Sequence, residues 1–275
     1  MLLFGESGNG KEIVARNIHY HSGRGDKAFI AVNCAAEGEQ FEAHLFGSGT
    51  TEATEENGTG YLEKADGGTL FLDKITKMPL EIQARLLNFL ENKKFHRVGE
   101  QRERQADIRL VVATNTDLKQ KVSLGRFREH LYYLLNVFPI ALPALRERAE
   151  DIPALLKELI TRLEHAGQKA MGLNSSAVES LQRCDWPGNV RELTNLIERL
   201  SIIYEGKVIG VNDLPPEYRH LPEPEPEPEV AEPAVEALEP EYRKVKVRLA
   251  VPSKPRSTQK IISPLNAEKF KTVSG

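Results

Sequence analysis

Residues 5–12 read Gly-Glu-Ser-Gly-Asn-Gly-Lys-Glu and stand between the apolar run MLLF and a segment of helical period from Gly10 to Tyr20. Glycines so spaced let backbone N–H groups converge on an anion, and a lysine opening the helix carries charge to the outer phosphates. This works only where a strand runs into the loop and a helix runs out of it. The stretch therefore commits the chain to an α/β fold. It also makes Gly5, Glu6, Ser7, Gly8, Asn9, Gly10, Lys11 and Glu12 candidate phosphate ligands, with Glu12 where such loops usually place a magnesium-binding Ser or Thr.

Four further β-rich runs follow MLLF: FIAVNC (29–34), TLFLD (69–73), IRLVVAT (108–114) and VFPIAL (137–142). They alternate with helical segments, the pattern of a five-stranded parallel sheet covered on both faces. Pro79 to Glu91 predicts a helix with Pro79 in its first turn and Ile82, Leu86, Leu87 and Leu90 on one stripe. The β signal then stops. Helical periods over Glu150 to His165 and Ser175 to Arg183, and again at Val190, Leu193, Ile197 and Leu200, predict a small all-helical domain. The expected division is an α/β domain over 1–144, a helical domain over 145–220 and a tail over 221–275.

The net charge of -3 conceals a segregated tail. Residues 222–241 hold eight Glu and no basic residue, with alternating prolines, so they predict a disordered acidic spacer; residues 242–260 hold seven Lys or Arg and no acid. That basic stretch has no helix-turn-helix pattern and a single aromatic, and reads as a solvated tail ahead of a nucleic-acid arm. Cys34 and Cys184 lack partner motifs and predict buried thiols. No stretch reaches the roughly 20 apolar residues of a membrane span, and MLLFGESG lacks the form of a secretory signal, so the expected location is cytoplasmic.

Seven segments in order, GESGNGKE, VNCAA (32–36), LFG (45–47), ADGGTLFLD (65–73), ADIRLVVATN (106–115), GRFREHLYYLLNVFPIALPALRERAEDI (125–152) and WPGNVRELTNLIERL (186–200), together resemble the AAA+ domain of bacterial enhancer-binding proteins, the activators of sigma-54 RNA polymerase. NVFPI, ELITRLEH and GVNDLPPEYRHL are most similar to the flagellar master regulators of that family. The resemblance implies ATP and Mg²⁺ as cofactors. Lys11 and the loop amides would hold the phosphates, and Asp73 would orient the metal. Asn33 matches the residue coupling nucleotide state to the catalytic carboxylate, and Asn115 the sensor after the fourth strand. Arg191 resembles the lid arginine that reaches the phosphate, and Arg128 one of the arginines that a neighbouring subunit supplies, which implies a ring. In this family the loop ends in Glu, so Glu12 agrees with it.

The chain departs from the family at working positions. The strand that should end Asp-Glu ends Asp73-Lys74. A lysine is a cation at neutral pH and cannot take a proton from water, and losing such a base costs about 10² to 10⁴ in rate; Lys74 is expected to pair with Asp73. The GAFTGA loop that grips sigma-54 is replaced by the polar Ser48 to Thr59, His130 replaces an acid, and Leu134 replaces the second intersubunit arginine. An adenine-enclosing upstream segment, a sensory domain and a Fis-like DNA-binding helix pair are also missing from the pattern. The expectation is a domain that holds ATP, turns it over poorly or not at all, and remodels sigma-54 poorly. The alternatives are a non-catalytic subunit that modulates an intact paralogue, or a truncated remnant. Clamp loaders and junction motors fit poorly, because WPGNVREL and NVFPIALPALRERAEDI occur together here.

Overall fold

The computed structural model describes residues 1–49, 58–167, 169 and 171–220. The polar segment at 50–57 and the tail from 221 therefore lie outside the described residues. The main sheet contains β1 (Leu2–Phe4), β2 (Phe29–Asn33), β3 (Thr69–Asp73), β6 (Arg109–Thr114) and β7 (Pro139–Ala141), with β4 (Lys94–His96) and β5 (Glu103–Gln105) forming a separate hairpin. The order is β2-β3-β6-β1-β7 and every pairing is parallel. The expected α/β class and five-stranded parallel sheet are what the chain forms.

Side-chain alternation explains the layers, because successive residues of a strand face opposite sides. Leu2, Leu70, Leu72 and Val112 enter one core with α2 (Phe41–Phe46), α3 (Tyr61–Lys64), α4 (Leu80–Asn92), α5 (Leu118–Ser123) and α6 (Glu129–Leu135). Leu3, Phe71, Val111 and Ala113 enter the other with Ala15 of α1 (Lys11–Tyr20). Strands buried on both faces read as continuous apolar runs, which is why they stood out in the sequence. The last run shortens to Pro139–Ala141, with Val137 and Phe138 80% and 60% exposed at its start.

In α4 the buried stripe is Ile82, Gln83, Leu86 and Phe89; Leu87 and Leu90 are half-buried beside the core. Pro79 stands before the first turn, in extended conformation, and not within it as expected. Gln83 is a buried polar residue that hydropathy misses: its amide donates to Met78 O at 2.8 Å and accepts from the Arg128 N–H at 2.9 Å.

A third core begins at Leu145 and gathers α7 (Ile152–His165), α8 (Ser175–Gln182) and α9 (Asn189–Ile203) around Trp186. This region is not all helical: β8 (Gly172–Leu173) pairs in parallel with β9 (Val208–Ile209). Trp186 is 1% exposed, stacks on Tyr218 at 5.3 Å and donates its indole N–H to Leu181 O at 2.8 Å. Cys34 and Cys184 are buried free thiols, and burial pushes each up to about 12. Among the described residues no helix is long and apolar enough to cross a membrane.

Candidate functional site

Parallel strands end at one edge of the sheet, and in open α/β sheets that edge carries the ligand crevice. β1 runs into Gly5, β2 ends at Asn33, which pairs in register with Asp73 at the end of β3, and Asn115 follows β6. A cleft of about 340 Å³ lies there, lined by Ser7, Gly8, Gly10, Lys11, Glu12, Asn33, Asp73, Lys74, Asn115 and Arg191, with Ile13, Val190, Thr194 and Asn195 completing it. Gly5, Glu6 and Asn9 do not line it; their oxygens accept from the Lys11 ammonium. Arg128 lies outside the cleft, exposed before α6, with its Nε donating to Leu80 O at 2.9 Å.

The loop's shape follows from its glycines. Gly10, at φ 95°, turns the chain into α1, and Gly8, at φ 79°, lets helix α9's turn come close: a Cβ on Gly8 would sit 2.2 Å from Gly188 O. Lys11 is buried, and its ammonium donates to Gly5 O at 2.9 Å, Glu6 O at 2.6 Å and Asn9 Oδ1 at 3.1 Å. Burial lowers its pKa first; the Asp73 charge opposes that, Arg191 adds to it, and Glu6 opposes it. Asn9 is fixed in turn by donating to Leu142 O at 3.1 Å.

Several residues that the sequence did not single out bind the helical region to this loop. Arg146 meets the Glu6 carboxylate with two bonds of 3.0 and 2.6 Å, and Arg148 donates to Asn9 O at 3.2 Å. Asn189 donates to Glu6 Oε2 at 3.0 Å and Ser7 O at 3.2 Å while accepting from the Leu145 N–H at 2.7 Å. The Arg191 N–H donates to Gly8 O at 3.2 Å. The hydrogen bond from Arg146, then that from Asn189, holds the Glu6 carboxyl down at about 2. One sequence signal was available for Asn189: after Pro187-Gly188 it sits at φ 54°, where Asn is tolerated better than most residues.

The opposite wall is built differently. Asn33 and Asn115 are exposed, and Asn33 Oδ1 accepts from the Ala35 N–H at 3.1 Å, within its own turn. Lys74 is left-handed, at φ 53° and ψ 46°, with its N–H donating to Asp73 Oδ1 at 2.9 Å. That contact is through the backbone. The expected ion pair between the Lys74 ammonium and Asp73 is not formed.

Magnesium at Asp73, which the resemblance implies, can be tested against these donors. Mg²⁺ at a phosphate site takes one or two carboxylates plus phosphate oxygens and waters. Here Glu12 is drawn to Arg16 at 2.7 Å, and Asp73 shares its side of the cleft with Lys74. Among the described residues no group of three or more His, Cys, Asp or Glu could hold a metal. Asp73 thus offers one carboxylate, the least that such a site takes, and Lys74 adds a positive charge to the same wall, which opposes the ion.

Comparison with known proteins agrees with the architecture. The sigma-54 interaction domain matches residues 1–141, and the AAA+ ATPase lid domain matches 146–231. The chain belongs to the sigma-54 interaction domain family of AAA+ proteins. The phenol regulator MopR of Acinetobacter guillouiae is 44% identical over 226 residues, covering 80% of this chain and 40% of that protein. The transcriptional regulator NtrC of Rhizobium meliloti is 44% identical over 212 residues, covering 76% and 44%. NtrX from Brucella abortus superposes with a TM-score of 0.74 at 38% identity, covering 78% of this chain and 50% of that one, and its complex with ATP does so at 0.72 and 38%, covering 79% and 51%. The chain thus spans less than half the length of these two curated relatives.

Proposed function

We propose that this chain is the AAA+ domain of a sigma-54-dependent transcriptional regulator that binds ATP and hydrolyses it poorly or not at all. An α/β domain over 1–144 would hold the phosphates through Lys11 and the loop amides, and a lid over 145–220 would place Arg191 against them. The observation that carries the reading is Lys74, a cation on the cleft wall at the end of β3, where the resembled family has its water-orienting glutamate. Support also comes from α6, where Leu134 stands at the second intersubunit arginine position and cannot stabilise phosphate charge. The Mg²⁺ assigned by resemblance to Asp73 would have that one carboxylate, with the Lys74 charge opposing it. The similarity of NVFPI to the flagellar regulators supports a role of that kind, and the reading includes a cytoplasmic location.

The test is ATP binding and phosphate release measured on one preparation. Binding with turnover near background is the expected result, and Lys74→Glu should raise turnover by about 10² or more, given the base it restores. Brisk magnesium-dependent ADP production by the unmodified protein, abolished by Lys11→Ala, would overturn the reading.

A second reading makes the chain a damping subunit within rings of an intact paralogue. It is favoured by α6 and its exit, where Arg128, Tyr133, Leu134, Val137 and Phe138 are all exposed. Titrating the protein into an active relative should lower the relative's ATPase; an unchanged rate at excess removes this reading.

A further inference from the structure

The cleft contains two lysines in opposite circumstances. An ammonium has three donors, and those of Lys11 are met within the loop by Gly5 O, Glu6 O and Asn9 Oδ1, oxygens that a phosphate held by Lys11 would replace. Lys74 lines the same cleft, and its ammonium meets no acceptor among the described residues. Its backbone is not loose: the left-handed conformation is sparsely populated for a residue with a side chain, and the N–H bond to Asp73 Oδ1 holds it there. An unspent cation is thus presented from the strand end, where the cleft's remaining carboxylate stands alone.

We propose that ATP binds here without a divalent metal, the Lys74 ammonium carrying the charge neutralisation that a magnesium ion would supply at the outer phosphates. The inference rests on the nucleotide reading above and adds the form in which the nucleotide is taken. Lys74 meets phosphate oxygens directly, as a compact, strongly hydrated point charge does. Arg191 completes the cationic lining from the lid side, and Glu12 stays engaged with Arg16. A magnesium ion entering beside Asp73 would have to approach that ammonium, and the two cations repel.

The experiment is calorimetric titration of ATP into the full chain, once in excess MgCl₂ and once in excess EDTA. The expected affinities agree within about threefold, where tenfold would correspond to about 1.4 kcal/mol. Lys74→Glu removes the cation and adds a carboxylate; its affinity in EDTA should fall by at least about tenfold and return when magnesium is supplied. A loss of about tenfold or more for the unmodified protein in EDTA would overturn the proposal, as would undiminished EDTA binding by Lys74→Met. Absence of binding in both buffers, by protein with an intact melting transition, would overturn the nucleotide reading itself and this inference with it.

Discussion

The two walls of the cleft are constructed on different principles. On one side the phosphate loop is bonded to a region more than 130 residues away: Asn9 to Leu142, Glu6 to Arg146 and Asn189, Asn9 to Arg148. On the other, the strand ends present Asn33, Lys74 and Asn115 towards solvent with few ties to anything beyond their own turns. Buried polar groups left unmade are costly, so the first wall is specified by folding itself. Folding does not depend on the second in that way, so its residues can change without loss of the fold. Hence a lysine can occupy the position after Asp73 while the loop and lid stay in place.

The largest effect should follow from forcing the bonded wall apart. Gly8→Val puts a β-branched residue at φ 79° and a Cβ where Gly188 O already lies. Left-handed strain alone is worth about 1–3 kcal/mol, and displacement of the lid turn adds to it. A melting temperature lower by about 6–12 °C is expected for roughly 3 kcal/mol in a chain of this size. A melting curve superposable on that of the unmodified protein would mean that the loop and the lid turn are not in contact in solution.

Asn189 should come next. Its side chain satisfies the Leu145 N–H and ties Glu6 and Ser7 to the start of α9. Asn189→Gly keeps the left-handed backbone and deletes the bonds, for a loss of about 1–3 kcal/mol in denaturant unfolding. Asn189→Ala should be worse by a further ~1 kcal/mol because alanine resists that conformation. Equal stabilities would show that backbone strain is relieved and that the hydrogen bonds carry the whole effect.

The Glu6 carboxyl gives the same seam a pH signature. Its value falls from 4.5 to about 2 in the folded protein, first through the hydrogen bond from Arg146. A depressed folded value stabilises the fold above the unfolded value and is lost on acidification. The contribution is therefore complete at pH 7 and should disappear as pH falls from about 4.5 towards 2. Glu6→Gln should flatten the stability profile within that window, measured against the unmodified protein by urea titration at each pH. Because the pair is solvent-exposed, raising salt should shrink the difference.

Legibility in the sequence followed a related division. The β3 and β6 strands were readable because burial on both faces leaves unbroken apolar runs, β1 and the half-buried edge strand β2 because they too are short runs of apolar residues, and the loop because only glycines at those intervals with a lysine allow its shape. Gln83 was not readable, since its burial depends on backbone groups at Met78 and Arg126 to Arg128 that lie beside it only after folding. The β4 and β5 strands were missed for a different reason: three residues each, mostly exposed and polar, they carry no period. In the site, residue types marked the cleft-facing positions, whereas Arg146, Arg148 and Asn189 act through partners about 140 to 180 positions distant. Nothing local distinguishes such an arginine from any surface arginine. The Lys74–Asp73 ion pair expected from adjacency is not formed: with Lys74 left-handed, it is the Lys74 N–H and not its ammonium that meets Asp73 Oδ1.

The smallest effects should come from the open wall, and they discriminate best between the two. Asn33 and Asn115 are both exposed; among the described residues the former's side chain accepts from the Ala35 N–H alone, a bond that water can replace. Asn33→Ala and Asn115→Ala should each leave unfolding free energy within about 0.5 kcal/mol of the unmodified protein. If instead either costs as much as Asn189→Gly, the strand-end wall is as much a product of folding as the loop seam. The lysine at position 74 would then have been accommodated by compensating contacts, and not by freedom from them.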